Sequence, residues 1–189
     1  MKIGLYFGSF NPIHTGHLII ANTILTETEM DRVWFVVSPQ NPLKAQATLL
    51  NEYHRKHLVD LAIEGENKLR SSNVEFSLPK PSYTIDTITY LSEKFPSNTF
   101  NIIMGSDSYN NLKNWKNYEL LLKNYHFIVY GRLGFETRDP LPGNVSKVAA
   151  PLLEISSTYI RELIKKNKSI KFLVPDAVKE EIERNHYYR

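Results

Sequence analysis

Ile3-Gly4-Leu5-Tyr6-Phe7-Gly8-Ser9-Phe10-Asn11-Pro12-Ile13-His14-Thr15-Gly16-His17-Leu18 is the stretch on which the rest of the chain turns. Ile3 to Phe7 is a short apolar run closed by glycine, the pattern of a buried strand. Leu18 to Thr26 carries Leu18, Ile19, Ala21, Ile24 and Leu25 at helical spacing. Between them lies a turn with two glycines and two histidines. A helix start leaves backbone N–H groups unpaired, and its dipole favours anions. Gly8 and Gly16 remove side chains where a ligand must approach the backbone. His14 and His17 are three residues apart, so they share one face and can each donate an imidazole N–H to a phosphate oxygen.

Outward from this turn, strands and helices alternate. Arg32 to Val37 reads as a second buried strand, followed by the loop Ser38 to Lys44. Asn51 caps a helix running to about Glu64, with Leu58, Leu61, Ala62 and Ile63 inward. Asn73 to Leu78 reads as a third, edge-like strand ended by Pro79. Tyr83 to Lys94 is a helix, Thr99 to Met104 a fourth strand, Leu112 to Leu122 a helix and His126 to Tyr130 a fifth strand. Gly131 to Asn144 reads as a mobile surface loop. Val145 to Ala149 is a short sixth strand, and Thr158 to Lys165 and Asp176 to Arg184 are helices. The alternation predicts an α/β fold: a Rossmann-like parallel sheet of about five to six strands, helices on both faces, in a single domain over 1–189. Ligands of such sheets bind outside the carboxyl ends of the strands. The first turn, the Lys44 loop and the Gly105 turn fall there.

Composition narrows the setting. The chain has 189 residues, with 42% hydrophobic and 23% charged, which suits one globular domain with a substantial core. It has no cysteine, so disulfides, thiolate metal sites and cysteine nucleophiles are excluded. No apolar run approaches a membrane span, and the first strand starts too early for a signal peptide, so a cytoplasmic protein is expected. A net charge of +3 suits a phosphate-rich ligand and is too weak to argue nucleic-acid binding. His54 and His57 are an i, i+3 pair with no further ligands evident, and read as helix-face residues; no protein metal site is expected.

A second motif closes the chain. Ile155-Ser156-Ser157-Thr158-Tyr159-Ile160-Arg161 begins a helix with three hydroxyls, any of which could cap it, and Arg161 lies one turn in, able to fork onto a polyphosphate. Thr84 at a helix start can hold a carboxylate or serve as a plain helix cap, and Trp115 can offer a flat face to a cationic ring or pack in the core; taken alone, the residues favour the cap and the core. No lysine or arginine follows Tyr83-Thr84 before Lys94, so backbone donors are expected to carry that carboxylate.

The Gly8 to His17 segment resembles the GxFxPxHxGH signature of the HxGH nucleotidyltransferase superfamily, with Asn11 where many members carry Asp. Ile155 to Arg161 resembles its ISSTxIR motif at every fixed position. Lys44, in Pro39-Gln40-Asn41-Pro42-Leu43-Lys44, matches the lysine of a P-x-x-P-x-K loop, with Leu43 where a histidine is often found. Pro81 to Thr87 resembles the S-Y-T-x-D-T segment of nicotinate mononucleotide adenylyltransferases. Gly105-Ser106-Asp107 with Leu112 and Trp115 resembles their G-x-D-x(4)-L-x-x-W segment. The likeness covers almost the whole chain.

The resemblance implies adenylyl transfer from ATP to nicotinate mononucleotide, giving deamido-NAD and pyrophosphate, with Mg²⁺ held mainly by the ATP phosphates. It implies His14, His17, Lys44 and Arg161 as the catalytic set. Gly8, Ser9, Phe10, Gly16, Gly105, Asp107, Ile155, Ser156 and Ser157, with the histidines and Arg161, are the implied ATP site, Asp107 beside ribose. Asn11, Lys44, Tyr83, Thr84 and Trp115 are the implied mononucleotide site. No nucleic-acid or membrane partner is expected, and a homo-oligomer stays open. A sister enzyme acting on nicotinamide mononucleotide or another phosphorylated substrate, and a non-catalytic nucleotide-binding relative, are the alternatives.

Overall fold

The structure is a computed structural model that describes residues 1–40, 49–136 and 144–189. β1 (Lys2–Gly8), β2 (Arg32–Val37), β3 (Leu69–Ser72), β4 (Thr99–Gly105), β5 (His126–Tyr130) and β6 (Val145–Val148) form one sheet in the order β3-β2-β1-β4-β5-β6. Every adjacent pair is parallel. β1 is central, and the strand order reverses between β1 and β4. The register sets Gly8 beside Val37 and Gly105 beside Tyr130, so these carboxyl ends form one edge. A crevice opens at such a reversal because the connections from its two sides leave in opposite directions.

Alternation along the strands feeds two cores. Ile3, Leu5, Trp34, Val36, Ile102 and Met104 face one side, packed against α3 (Thr84–Lys94) and α5 (Tyr118–Asn124) through Ile88, Leu91 and Leu121. Tyr6, Val33, Phe35, Val37 and Ile103 face the other. There they meet α1 (Thr15–Glu27), α2 (Glu52–Ala62), α6 (Ser157–Lys165) and α7 (Asp176–Arg184). Ile160 and Ile164 of α6 and Val178 and Ile182 of α7 are buried, each contributing about 1.5–3 kcal/mol by transfer from water. That burial seats the start of α6 against the loop after β1. No helix among the described residues is long and apolar enough to cross a membrane.

Two expected elements differ. The third strand is Leu69–Ser72, not Asn73 to Leu78; the latter contains a 3-10 helix, Val74–Ser77. The alternation of Asn73-Val74-Glu75-Phe76 misleads because its most buried residue is the carboxylate Glu75, 2% exposed. Polar Leu69-Arg70-Ser71-Ser72 can be a strand because it pairs on one side only, with β2. The Leu112 to Leu122 helix is broken. A short α4 (Ser106–Asn110) and a 3-10 turn at Leu112–Asn114 precede an extended Trp115, and Asn117 is left-handed at φ 53°, so α5 restarts at Tyr118. Asn tolerates that conformation better than other non-glycine residues. Lys44 and Leu43, and residues 137–143 of the expected Gly131 to Asn144 loop, lie outside the described residues.

Candidate active site

The turn after β1 is built around its own side chains. Phe10 adopts φ 44°, and its ring is buried against Tyr6, Phe35 and His17, with centroids 5.9, 5.4 and 5.1 Å away. A left-handed bulky residue is strained, and such strain gathers where a site over-determines the backbone. The two glycines have a more local reason than ligand approach. A Cβ at Gly8 would lie 2.8 Å from the Phe10 ring, and one at Gly16 3.0 Å from His14 Nδ1. They make room for the aromatic residue and the histidine.

His14 stands just before α1 with an extended backbone. Its N–H donates to His17 Nδ1 at 3.2 Å, and the two rings stack with centroids 3.7 Å apart. Because Nδ1 of His17 accepts, Nε2 of the neutral ring carries the proton and is a donor. His14 is 6% exposed. Burial, aided by the charge of Arg132, holds its pKa down to about 4, so it is neutral at pH 7. Its Nδ1 is buried with no hydrogen-bond partner among the described residues.

The last motif closes onto this turn from more than a hundred residues away. Ser157 Oγ donates to Pro12 O at 2.8 Å, and Arg161 Nη1 donates to Asn11 O at 2.7 Å. Ser156 is the cap: its Oγ accepts from Tyr159 N–H at 3.2 Å. Arg161 Nη2 reaches Thr158 Oγ1 at 3.3 Å, so the guanidinium is aimed before any ligand arrives. Asn11 Oδ1 accepts from Leu50 N–H at 3.1 Å, tying the turn after β1 to the residues just before α2.

These residues share a cleft of about 1030 Å³ at the carboxyl edge of the sheet. Gly8, Ser9, Phe10, Asn11, His14 and His17 line it, with Ser156, Ser157 and Arg161. So do Gly105, Asp107, Tyr83, Thr84 and Trp115. Gly16 and Ile155 line a small side cavity behind the histidines. His54 and His57 lie elsewhere, on α2 facing the end of the chain: His54 Nδ1 is 3.0 Å from Tyr187 Oη, and His57 Nε2 is 3.6 Å from Glu181.

Several cleft residues were not foreseen. Arg132, just past β5, donates its N–H to Ser106 Oγ at 2.9 Å and pairs through Nη1 with Asp107 Oδ2 at 3.2 Å. Asp107 Oδ1 is buried and without a partner among the described residues. Arg132 sits at the carboxyl edge, where the topology rule could have found it. Glu75 accepts from Ser82 Oγ at 2.6 Å and Thr87 Oγ1 at 2.9 Å. Burial pushes its pKa up, while hydroxyl bonds from Ser82, Thr87 and Ser38 pull against that. The bonds pin the turn into α3, where Thr84 and Ile85 start the helix with N–H groups outside its ladder. Lys116 also lines the cleft, with Nζ 4.8 Å from the centroid of Tyr83, so a cation does reach the Tyr83-Thr84 region after all.

The least foreseeable residue is Arg55 on α2, which is 0% exposed. Its Nη1 donates to Ser9 O at 2.5 Å and Ser38 O at 2.8 Å, Nη2 to Pro39 O at 3.1 Å, and Nε to Leu50 O at 2.7 Å. One guanidinium thus joins the turn after β1, the loop after β2 and the approach to α2.

Comparison with known proteins agrees with this arrangement. The cytidylyltransferase-like family profile matches residues 5–163. A probable nicotinate-nucleotide adenylyltransferase of Flavobacterium psychrophilum is 51% identical, over 100% of both chains. Another, of Cytophaga hutchinsonii, is 53% identical over 100% of this chain and 98% of its own. The fold matches that of Plasmodium falciparum nicotinic acid mononucleotide adenylyltransferase complexed with NaAD, at TM-score 0.85 and 23% identity, covering 99% of this chain and 97% of that one. With a sheet that reverses at β1, a histidine turn latched to the start of α6, and full-length relatives at half identity, the chain belongs to the nicotinate-nucleotide adenylyltransferase family of cytidylyltransferase-like proteins.

Proposed function

We propose that the chain transfers the adenylyl group of ATP to nicotinate mononucleotide, releasing pyrophosphate and forming deamido-NAD, a step of NAD biosynthesis. One observation carries the reading. A single cleft holds both the histidine turn latched to the capped α6 start, suited to a triphosphate, and the α3 start beside Trp115, suited to a pyridine carboxylate. The names borne by the full-length relatives support it.

The cleft offers no cysteine, and its histidines suit charge stabilisation, so the phosphate of the mononucleotide attacks the α-phosphorus directly and in line. That phosphate is already ionised at neutral pH and needs no general base. The Nε2–H of His17 meets charge building on the α-phosphate. His14, kept neutral, contributes an N–H rather than a full charge. Arg161 and the N–H groups at the start of α6 hold the outer phosphates, and Lys44 steadies the incoming one. Among the described residues no three acidic or histidine side chains converge to cage a cation. A donor set of imidazoles and guanidinium suits phosphate oxygens; the expected Mg²⁺ would be held mainly by the ATP phosphates, whose charge it would offset.

Substrate choice tests the reading. Donors at the α3 start favour a carboxylate, because an amide NH₂ would leave them unpaired, at about 1–3 kcal/mol each. The expected kcat/KM for nicotinate mononucleotide is at least roughly 10²-fold above that for the nicotinamide form, measured by pyrophosphate release. Comparable efficiency with the two would reassign the chain to a nicotinamide-directed or dual-specificity activity. Trp115→Ala should impair both forms, since stacking reads the ring rather than its substituent.

Arg161→Lys keeps the charge but loses the fork that reaches Asn11 O and Thr158. It should raise KM for ATP by about tenfold, with a smaller effect on the mononucleotide. Unchanged ATP kinetics with a raised KM for the mononucleotide would remove Arg161 from the triphosphate.

A further inference from the structure

We infer that the Lys116 side chain is a specificity-determining group that reads the charge of the pyridine substituent, an inference that rests on the substrate reading above. Lys116 directly follows Trp115, in the turn before α5. Its Nζ lies 4.8 Å from the centroid of Tyr83, the residue just before α3. It also donates to both carboxylate oxygens of Asp86, at 3.1 and 2.8 Å, thirty residues away in sequence. Lys116, Tyr83, Thr84 and Trp115 all line the cleft, whereas Asp86 does not. The Asp86 carboxylate thus holds the ammonium over the Tyr83 ring, and both Lys116 and Tyr83 line the cleft.

This corner joins the flat face proposed for the pyridine ring to the helix start proposed for its substituent. A cation held there attracts a carboxylate more strongly than a neutral amide, whose carbonyl offers it only a dipole. Lys116 and Asp86 have side chains 43% and 44% exposed, so water and salt screen the attraction. The effect is a modest adjustment of selectivity, added to what the backbone donors supply. It shrinks as ionic strength rises, which hydrogen bonding to backbone N–H groups does to a lesser degree.

Lys116 could instead serve merely as one half of a surface ion pair, and the two roles separate by substitution. Lys116→Met keeps the apolar stem over Tyr83 and removes the charge. Asp86→Asn breaks the same ion pair but leaves the ammonium in place. The experiment measures kcat/KM by pyrophosphate release and Kd by calorimetry, with nicotinate and nicotinamide mononucleotides, on the full chain and both variants at low and high salt. Lys116→Met should lose about fivefold with the nicotinate form and markedly less with the amide form, most clearly at low salt. Asp86→Asn should hold or improve its use of the nicotinate form. Equal losses in the two variants, equal losses with the two mononucleotides, or an unchanged nicotinate preference in Lys116→Met would each overturn the assignment. A wild-type chain that neither binds nor turns over the nicotinate form would instead overturn the substrate reading itself.

Discussion

His17→Ala is expected to lower kcat by about 10²-fold or more while leaving the protein folded. Removal of one preorganised donor from a developing oxyanion has that size, and 10² corresponds to about 2.7 kcal/mol in the barrier. The structural loss is smaller. His17 is only partly buried, and its ring accepts a hydrogen bond from His14 N–H. One such bond is worth about 1 kcal/mol, or roughly 2–4 °C in Tm for a chain of this length. A thermal melt beside steady-state kinetics separates the two effects. Near-normal turnover in the folded variant would remove His17 from the transition state. A Tm lowered by roughly 10 °C or more would assign the loss to folding.

Arg55→Met should be the most destabilising single change outside the apolar core. Methionine fills much of the arginine stem's volume but donates nothing. The carbonyls of Ser9, Ser38, Pro39 and Leu50 then lose their donor together. Water can reach some of them once the loops relax, so the sum of four full penalties overstates the cost. About 3–5 kcal/mol, as for other broken buried charge contacts, is the expected loss, or roughly 6–20 °C in Tm. That is a large part of the 5–15 kcal/mol typical of a domain. Arg55→Lys should not restore it, since one ammonium cannot span three segments. Circular-dichroism melts measure both, and a shift below about 3 °C in Arg55→Met would show the carbonyls to be satisfied without it.

The residues legible in the sequence are those whose meaning is local. The apolar run Ile3 to Phe7 becomes β1 because a run of that length, closed by Gly8, suits a strand buried on both faces. Asn51 and Ser156 cap their helices because a short oxygen side chain there reaches an N–H two or three residues on. Asp176–Arg184 folds as its spacing implies. Where a reading failed, a distant partner had overridden local preference. Asn73 to Leu78 alternates like a strand, yet Ser82 and Thr87 bind Glu75 and hold the segment in a tighter turn. Leu112 to Leu122 has helical spacing, but Trp115 is extended and Asn117 left-handed.

By itself, the sequence determined the alternation of strands and helices, the histidine turn at a helix start, the capped helix at Ser156, and the groups able to meet phosphate and a pyridine ring. Apolar strand patterns, helix capping and donor chemistry act over a few residues or follow from side-chain type, so they can be read along the chain. Tertiary structure alone decided which edge strand completes the sheet, and that Arg55 would be buried among four backbone carbonyls. It also decided that Arg161 would be aimed by Asn11, that Arg132 would hold Asp107, and that Lys116 would stand over Tyr83. Each of those contacts joins segments that are far apart along the chain. Their partners are selected by how the sheet and its two helical layers close around the cleft, which no local spacing encodes.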